Sequence, residues 1–184
     1  MQQGYIVNNM EEGIMFYDLL KTRRSIRKFK DMQIEKDKIK EILNCALLSP
    51  SSRRRRPWEF IVVTDKNKLI ELSKSREHSS AFLAGAPLGI VVLADSNACD
   101  VWIEDTSIAS IIIQLSAHSM GLGSCWIQVR DRMHSEAEKV DDYIKGILNI
   151  PDNLTVECMV AIGYPDEEKE EYSENDLLLD KIHY

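Results

Sequence analysis

The sequence predicts an α+β domain built on one central sheet. Three observations carry this prediction. Four short apolar runs, 58–63, 87–94, 125–129 and 154–162, have the length and residue types of buried strands. Stretches with the apolar spacing of helices alternate with them, and two more precede the first strand. The chain has 184 residues, 44% of them hydrophobic, which suits one core and is short for two.

Residues 1–14 are polar and lack a basic region followed by an apolar one, so they read as a flexible leader and not as a secretory signal. The single domain then runs over 15–184, and Met15 is an alternative start. Residues 15–22 form a short helix with Phe16, Leu19 and Leu20 on one face. The run 34–48 carries an apolar stripe of Ile39, Ile42, Leu43, Ala46 and Leu47, and Pro50 ends it. After the strand 58–63, Asp65 caps a helix over 65–74. A short turn at 81–84 leads into the strand 87–94, apolar on both faces.

The strongest helix spans 101–120. It is apolar over most of its surface, so it is either the central helix or part of a subunit interface. Gly121 closes it in a left-handed cap before the strand 125–129. A less regular helix covers 133–148, and 154–162 is the last strand. The acidic run 166–176 reads as solvated. The apolar tail 177–184 docks either on its own domain or on a partner subunit.

Composition excludes several classes. A net charge of -7 argues against non-specific nucleic-acid binding. No apolar run reaches the roughly 18 residues a membrane span needs. Cys45, Cys99, Cys125 and Cys158 form no C-x-x-C pair and lack histidines at ligand spacing. They read as reduced thiols of a cytoplasmic protein without a metal site. There is no G-x-G-x-x-G, no phosphate-binding G-x-x-x-x-G-K-[ST] and no G-x-S-x-G. No nucleophile or acid/base pair stands out, and a chain of this kind is still an enzyme where a cofactor supplies the chemistry.

The first candidate segment is RRSIRKF at 23–29. Arg23, Arg24 and Arg27 offer planar forks of donors and Ser25 a hydroxyl, a set that suits phosphate oxygens or the polar edge of a flavin. Taken alone, it reads first as a solvated basic turn. The second segment is SPSSRRRRPWEF at 49–60, a loop between helix and strand. The third is GLGSCWIQV at 121–129, and the fourth is the stretch after IGYP at 162–165.

In this order and spacing the four segments resemble the nitroreductase family of FMN-dependent oxidoreductases. The resemblance covers about 16–184. It implies an intertwined homodimer with a mixed or antiparallel central sheet, two FMN sites at the interface, and NADH or NADPH as electron donor. The acceptor would be a small molecule such as a nitroaromatic or a quinone. It also implies that Arg23, Arg24, Ser25 and Arg27 hold the FMN phosphate, ribityl chain and pyrimidine edge.

The second segment would line the flavin ring from the other subunit through Pro50, Ser51, Ser52, Arg54 and Arg56. Arg54 stands where the family usually has asparagine. The backbone of Gly121, Gly123 and Gln128 would lie near flavin N5, with Gln128 where glycine or glutamate is usual. Relatives often carry basic residues after the GYP turn. Here Lys169 is the one candidate, amid Glu167, Glu168, Glu170 and Glu171.

Overall fold

The computed structural model describes residues 15–184. The leader expected over 1–14 lies outside the described residues. Four strands, β1 (Trp58–Val63), β2 (Leu88–Asp95), β3 (Gly123–Gln128) and β4 (Leu154–Gly163), form one sheet. Its order is β1-β2-β4-β3 and every pairing is antiparallel. Each strand coincides with one of the apolar runs to within two residues.

Helices cover both faces, which is why the two central strands are apolar throughout. On one face Leu88, Ile90 and Val92 of β2 and Val160 and Ile162 of β4 pack with α2 (Lys36–Leu47) and α4 (Trp102–Ser119). The helices contribute Ile42, Ala46, Ile113 and Ala117. On the other face Val91, Leu93, Met159 and Ala161 meet α3 (Lys66–Ser73) and α5 (Val140–Leu148) through Leu69, Leu72, Val140 and Ile144. The larger of these side chains are almost fully buried, each contributing about 1.5–3 kcal/mol.

A β-bulge breaks the alternation in β4. Val92 pairs with Cys158 but Leu93 pairs with Val156, so Glu157 is the extra residue. The Glu157 carbonyl accepts the N–H groups of Val129 and Arg130 at 3.3 and 3.0 Å, which holds the exit of β3.

The caps follow the sequence. Asp65 Oδ1 accepts the Lys68 N–H at 2.9 Å and starts α3. Gly121, at φ 76°, ends α4. Its N–H bonds to His118 O and that of Leu122 to Ala117 O, both at 3.0 Å, the Schellman pattern.

Three expectations change. The stripe of α1 (Phe16–Thr22) is not covered: Phe16 and Leu20 are 65% and 41% exposed. The helix expected over 133–148 begins at Val140, because 133–139 closes a tight loop. There Met133 bridges Lys139, and the N–H groups of His134 and Ser135 both bond to Glu138 O. The acidic run 166–176 is not simply solvated, since several of its residues bond to the basic segment, as described below. Two further readings are narrowed. The tail 177–184 buries no side chain on its own domain. The helix α4 buries Ala109, Ile113 and Ala117 but turns Ile108 and Ile111 outward, 38% and 39% exposed.

Candidate functional site

Residues 23–29 cross the open side of β3. Ser25 forms a parallel bridge with Ser124, and the Ile26 N–H donates to Ser124 O at 3.0 Å. This approach requires Gly123. A Cβ there would lie 2.7 Å from Ile26 Cβ. Further on, Lys30 N–H donates to Tyr164 O and Asp166 N–H to Lys28 O, both at 2.9 Å. The segment is therefore stitched between β3 and the chain leaving β4.

Arg23, Arg24, Ser25 and Arg27 line one groove of about 280 Å³ together with Lys169 and Tyr172. Arg27 also lines a wider groove of about 360 Å³, with Phe82, Trp126, Gln128, Arg76 and His78. Its guanidinium lies 5.7 Å from the Phe82 ring centre. Gly121 and Gly123 line a third hollow, of about 160 Å³, which Arg24, Glu167 and Lys169 share. The first segment thus connects three adjoining spaces. Gln128 is held at both ends, accepting from Trp126 Nε1 at 2.9 Å and donating to Arg130 O at 3.1 Å.

The electrostatics are set by the acidic run. Glu167 Oε1 accepts the backbone N–H groups of Arg27 and Lys28 at 2.6 and 3.1 Å. Its other oxygen pairs with Lys169 Nζ at 2.9 Å. The Arg27 N–H and the Lys169 ammonium hold its carboxyl down at about 2. Lys169 therefore reaches the arginine groove already paired. Arg24 donates to Glu170 O and stacks on Tyr172, 4.2 Å from its ring centre. Burial pushes the Cys125 thiol up against the opposing pull of Arg27. His118 shares a 2.8 Å hydrogen bond with Thr22 Oγ1, and burial together with nearby Arg23 lowers its pKa.

The second segment is elsewhere. Pro50, Ser51, Ser52, Arg54 and Arg56 line none of these three spaces. Ser52 N–H donates to Asp105 Oδ1 at 2.9 Å, near the start of α4. Thr22 bonds to His118, thirteen positions further along the same helix, which is about 20 Å at 1.5 Å per residue. Within one chain the two segments do not meet. The loop is nonetheless well defined. Ser51 Oγ accepts the Arg56 N–H at 3.0 Å, and Arg55 donates to Ala98 O at 3.0 Å. Arg53, Arg54 and Arg56 have φ of 51°, 55° and 49°. That left-handed conformation costs a non-glycine residue about 1–2 kcal/mol.

Glu167, Tyr172, Arg76, His78 and Phe82 were not picked out from the sequence. The first two sit in a charge run that reads as solvated, and the other three in a loop and short turn without a motif. Among the described residues no helix is long and apolar enough to cross a membrane, and no three His, Cys, Asp or Glu side chains are grouped to hold a metal.

Comparison with known proteins gives these grooves a family context. The family model described as "Nitroreductase family" matches residues 20–76 and 71–164. The solved structure of an FMN-dependent nitroreductase from Clostridium difficile R20291 superposes with a TM-score of 0.89 at 54% identity, covering 90% of this chain and 96% of that one. An Archaeoglobus fulgidus protein, provisionally named NADH dehydrogenase/NAD(P)H nitroreductase, is 37% identical over 170 residues, which is 90% of this chain and 94% of the relative. An iodotyrosine deiodinase of Thermotoga neapolitana is 25% identical over 193 residues, 90% and 96% of the two chains. The four segments, the antiparallel sheet and matches over nine-tenths of the chain lead to one conclusion: this chain belongs to the nitroreductase family.

Proposed function

We propose that the protein is an FMN-dependent NAD(P)H oxidoreductase that works as a cytoplasmic homodimer. The observation that carries this reading is the convergence of Arg23, Arg24, Ser25 and Arg27 on one groove beside β3. The donor set fits the cofactor. A phosphate monoester carries about two negative charges, and guanidinium forks with a hydroxyl are the donors that suit its oxygens. When bound, FMN would supply the redox chemistry, hydride transfer from NADH or NADPH through N5 and electron delivery to an acceptor in the same pocket.

The chain's own work is to bind and orient. Arg23, Ser25 and Arg27 hold the phosphate and ribityl end, and Arg24 supports them from its stack on Tyr172. The backbone from Gly121 to Gln128 edges the ring. The wider groove, with Phe82 and Trp126, offers the apolar wall a flat ring needs. Lys169, paired with Glu167, adds little net charge to the phosphate end. The residues Pro50, Ser51, Ser52, Arg54 and Arg56 of a second copy complete the site. Their distance from Arg23 within one chain supports this, as do the exposed Ile108 and Ile111 and the uncovered tail.

Nitroaromatics and quinones are the acceptor classes we propose. Relatives of similar length carry different activities in their names, so kinship alone does not select among acceptors. The test is direct. Purified protein is expected to be yellow, or to take up FMN on titration, and to bleach when mixed anaerobically with NADH or NADPH. Absence of FMN uptake overturns the reading. A flavin that binds but does not bleach favours a second reading, a flavin- or anion-binding protein without turnover. The Glu167–Lys169 pair, which withholds one positive charge from the groove, is the observation on its side.

A further inference from the structure

Four consecutive arginines, at 53–56, are a poor choice for a turn. All four side chains are exposed. Among the described residues only Arg55 bonds through its guanidinium, to Ala98 O, and none of the four has an acidic partner. This is notable in a chain with 30 acidic residues and 23 lysines and arginines, where partners are abundant. Adjacent like charges repel. The backbone adds to the cost, because Arg53, Arg54 and Arg56 all sit at positive φ, where asparagine or glycine would be relaxed.

The loop is also anchored. Asp105 is 3% exposed and spends its Oδ1 on the Ser52 N–H at 2.9 Å, and Ser51 Oγ takes the Arg56 N–H. Strain held in place by a buried carboxylate marks a functional segment rather than a default turn. Its product is a set of unpaired guanidiniums facing outward from an otherwise acidic molecule.

We infer that this loop recognises an anionic group, a carboxylate or a phosphate, on one of the enzyme's small-molecule substrates. The inference rests on the flavoenzyme reading, which brings the loop of one copy to the flavin of the other. The anion can sit on the acceptor or, as the 2′-phosphate of NADPH, on the donor. In either case the shared chemistry is the same: guanidinium forks donating to the oxygens of a planar or tetrahedral anion. The loop thus sets substrate choice by charge and is separate from the groove that holds the cofactor phosphate.

The test uses the FMN-loaded enzyme and the double variant Arg53→Asn, Arg55→Ala, which spares the Arg54 and Arg56 placed at the flavin. Asparagine tolerates the left-handed backbone, so the loop keeps its shape. With NADH fixed, kcat/KM is measured for 4-nitrophenylacetate and its neutral amide, 4-nitrophenylacetamide. The methylene keeps the two nitro groups similarly reducible. If the anion is on the acceptor, the wild type favours the carboxylate, and the variant loses roughly tenfold of that preference, as expected for charge-assisted hydrogen bonds. The wild-type preference also shrinks as salt rises. If it is on the donor, the variant loses a preference for NADPH over NADH with the acceptor ratio unchanged.

An active yellow enzyme whose two ratios are the same in wild type and variant overturns the inference alone. A variant that loses FMN or becomes monomeric by sedimentation also overturns it, since the arginines then serve the cofactor or the partner. A wild-type protein that takes up no FMN overturns the flavoenzyme reading and this inference with it.

Discussion

The Arg27 backbone N–H donates to Glu167 Oε1 at 2.6 Å across 140 residues of sequence. The bond ties the acidic run to the basic segment and, with the Lys28 N–H, fixes the peptide between them. Glu167→Gln replaces a charged acceptor by a neutral one and releases Lys169. Hydrogen bonds to a charged group are worth about 1.5–3 kcal/mol. We expect the variant to unfold at a lower urea concentration, while the freed Lys169 raises FMN affinity by fluorescence titration.

The pH dependence has a definite sign. The folded pKa of Glu167, about 2, lies below its ordinary 4.5. The stabilisation is therefore complete above about pH 4.5 and is lost as pH falls toward 2. The stability gap between wild type and Glu167→Gln should be constant above pH 5 and close at lower pH. A gap that persists undiminished at pH 2 refutes the pairing.

Glu157 titrates in the opposite sense. It is the bulge residue, 2% exposed, and burial raises its carboxyl despite Arg130 Nε at 2.9 Å. The pair is close but not aligned as a hydrogen bond. A carboxyl raised in the folded state stabilises the fold at low pH, and that contribution fades as pH rises through the folded value. Arg130→Met leaves the carboxylate buried and unpaired. Breaking a fully buried pair costs about 3–5 kcal/mol, and the partial exposure of Arg130 reduces this to about 2–3. Urea denaturation should show a larger loss at pH 8 than at pH 5, and Glu157→Gln in the same background should restore part of it.

Gly123→Ala tests the approach of the basic segment to β3. The new methyl would sit 2.7 Å from Ile26 Cβ and 2.8 Å from both γ carbons. Ile26 is itself 8% exposed and cannot swing away freely. Overpacking of this kind costs about 1–3 kcal/mol. The variant should melt several degrees lower and hold FMN less tightly, because the arginines move with the backbone. Gly146→Ala, where a Cβ meets nothing within 4 Å, is the matched control and should leave FMN affinity unchanged.

Much of this fold could be read from the sequence because its signals are local. The strands are unbroken apolar runs, and Asp65 and Gly121 mark helix ends by side-chain chemistry and φ. The basic segment was legible as a donor set, and Arg27 and Gln128 do share a groove. What could not be read depends on distant partners. Glu167 looks like any residue of a solvated charge run until Arg27 and Lys28 present their N–H groups to it. The start of α5 was misplaced because 133–139 has helical composition but closes on Glu138 O instead. The separation of the two arginine segments follows from the length of α4, which no local pattern encodes.

That separation yields the last prediction. In one chain Ser52 is anchored at Asp105 and Thr22 at His118, so a site using both segments needs a second copy. The outward face of α4 carries Ile108 and Ile111, more than a third exposed, at the three-residue spacing that puts them side by side. A charge there would be stranded in an apolar contact. We therefore expect Ile111→Glu to convert a dimer to a monomer in sedimentation equilibrium. FMN should be lost together with the dimer, while the fold is retained by circular dichroism because Ile111 is not in the monomer core. If Ile111→Glu is monomeric yet fully loaded and active, the second copy plays no part in the site.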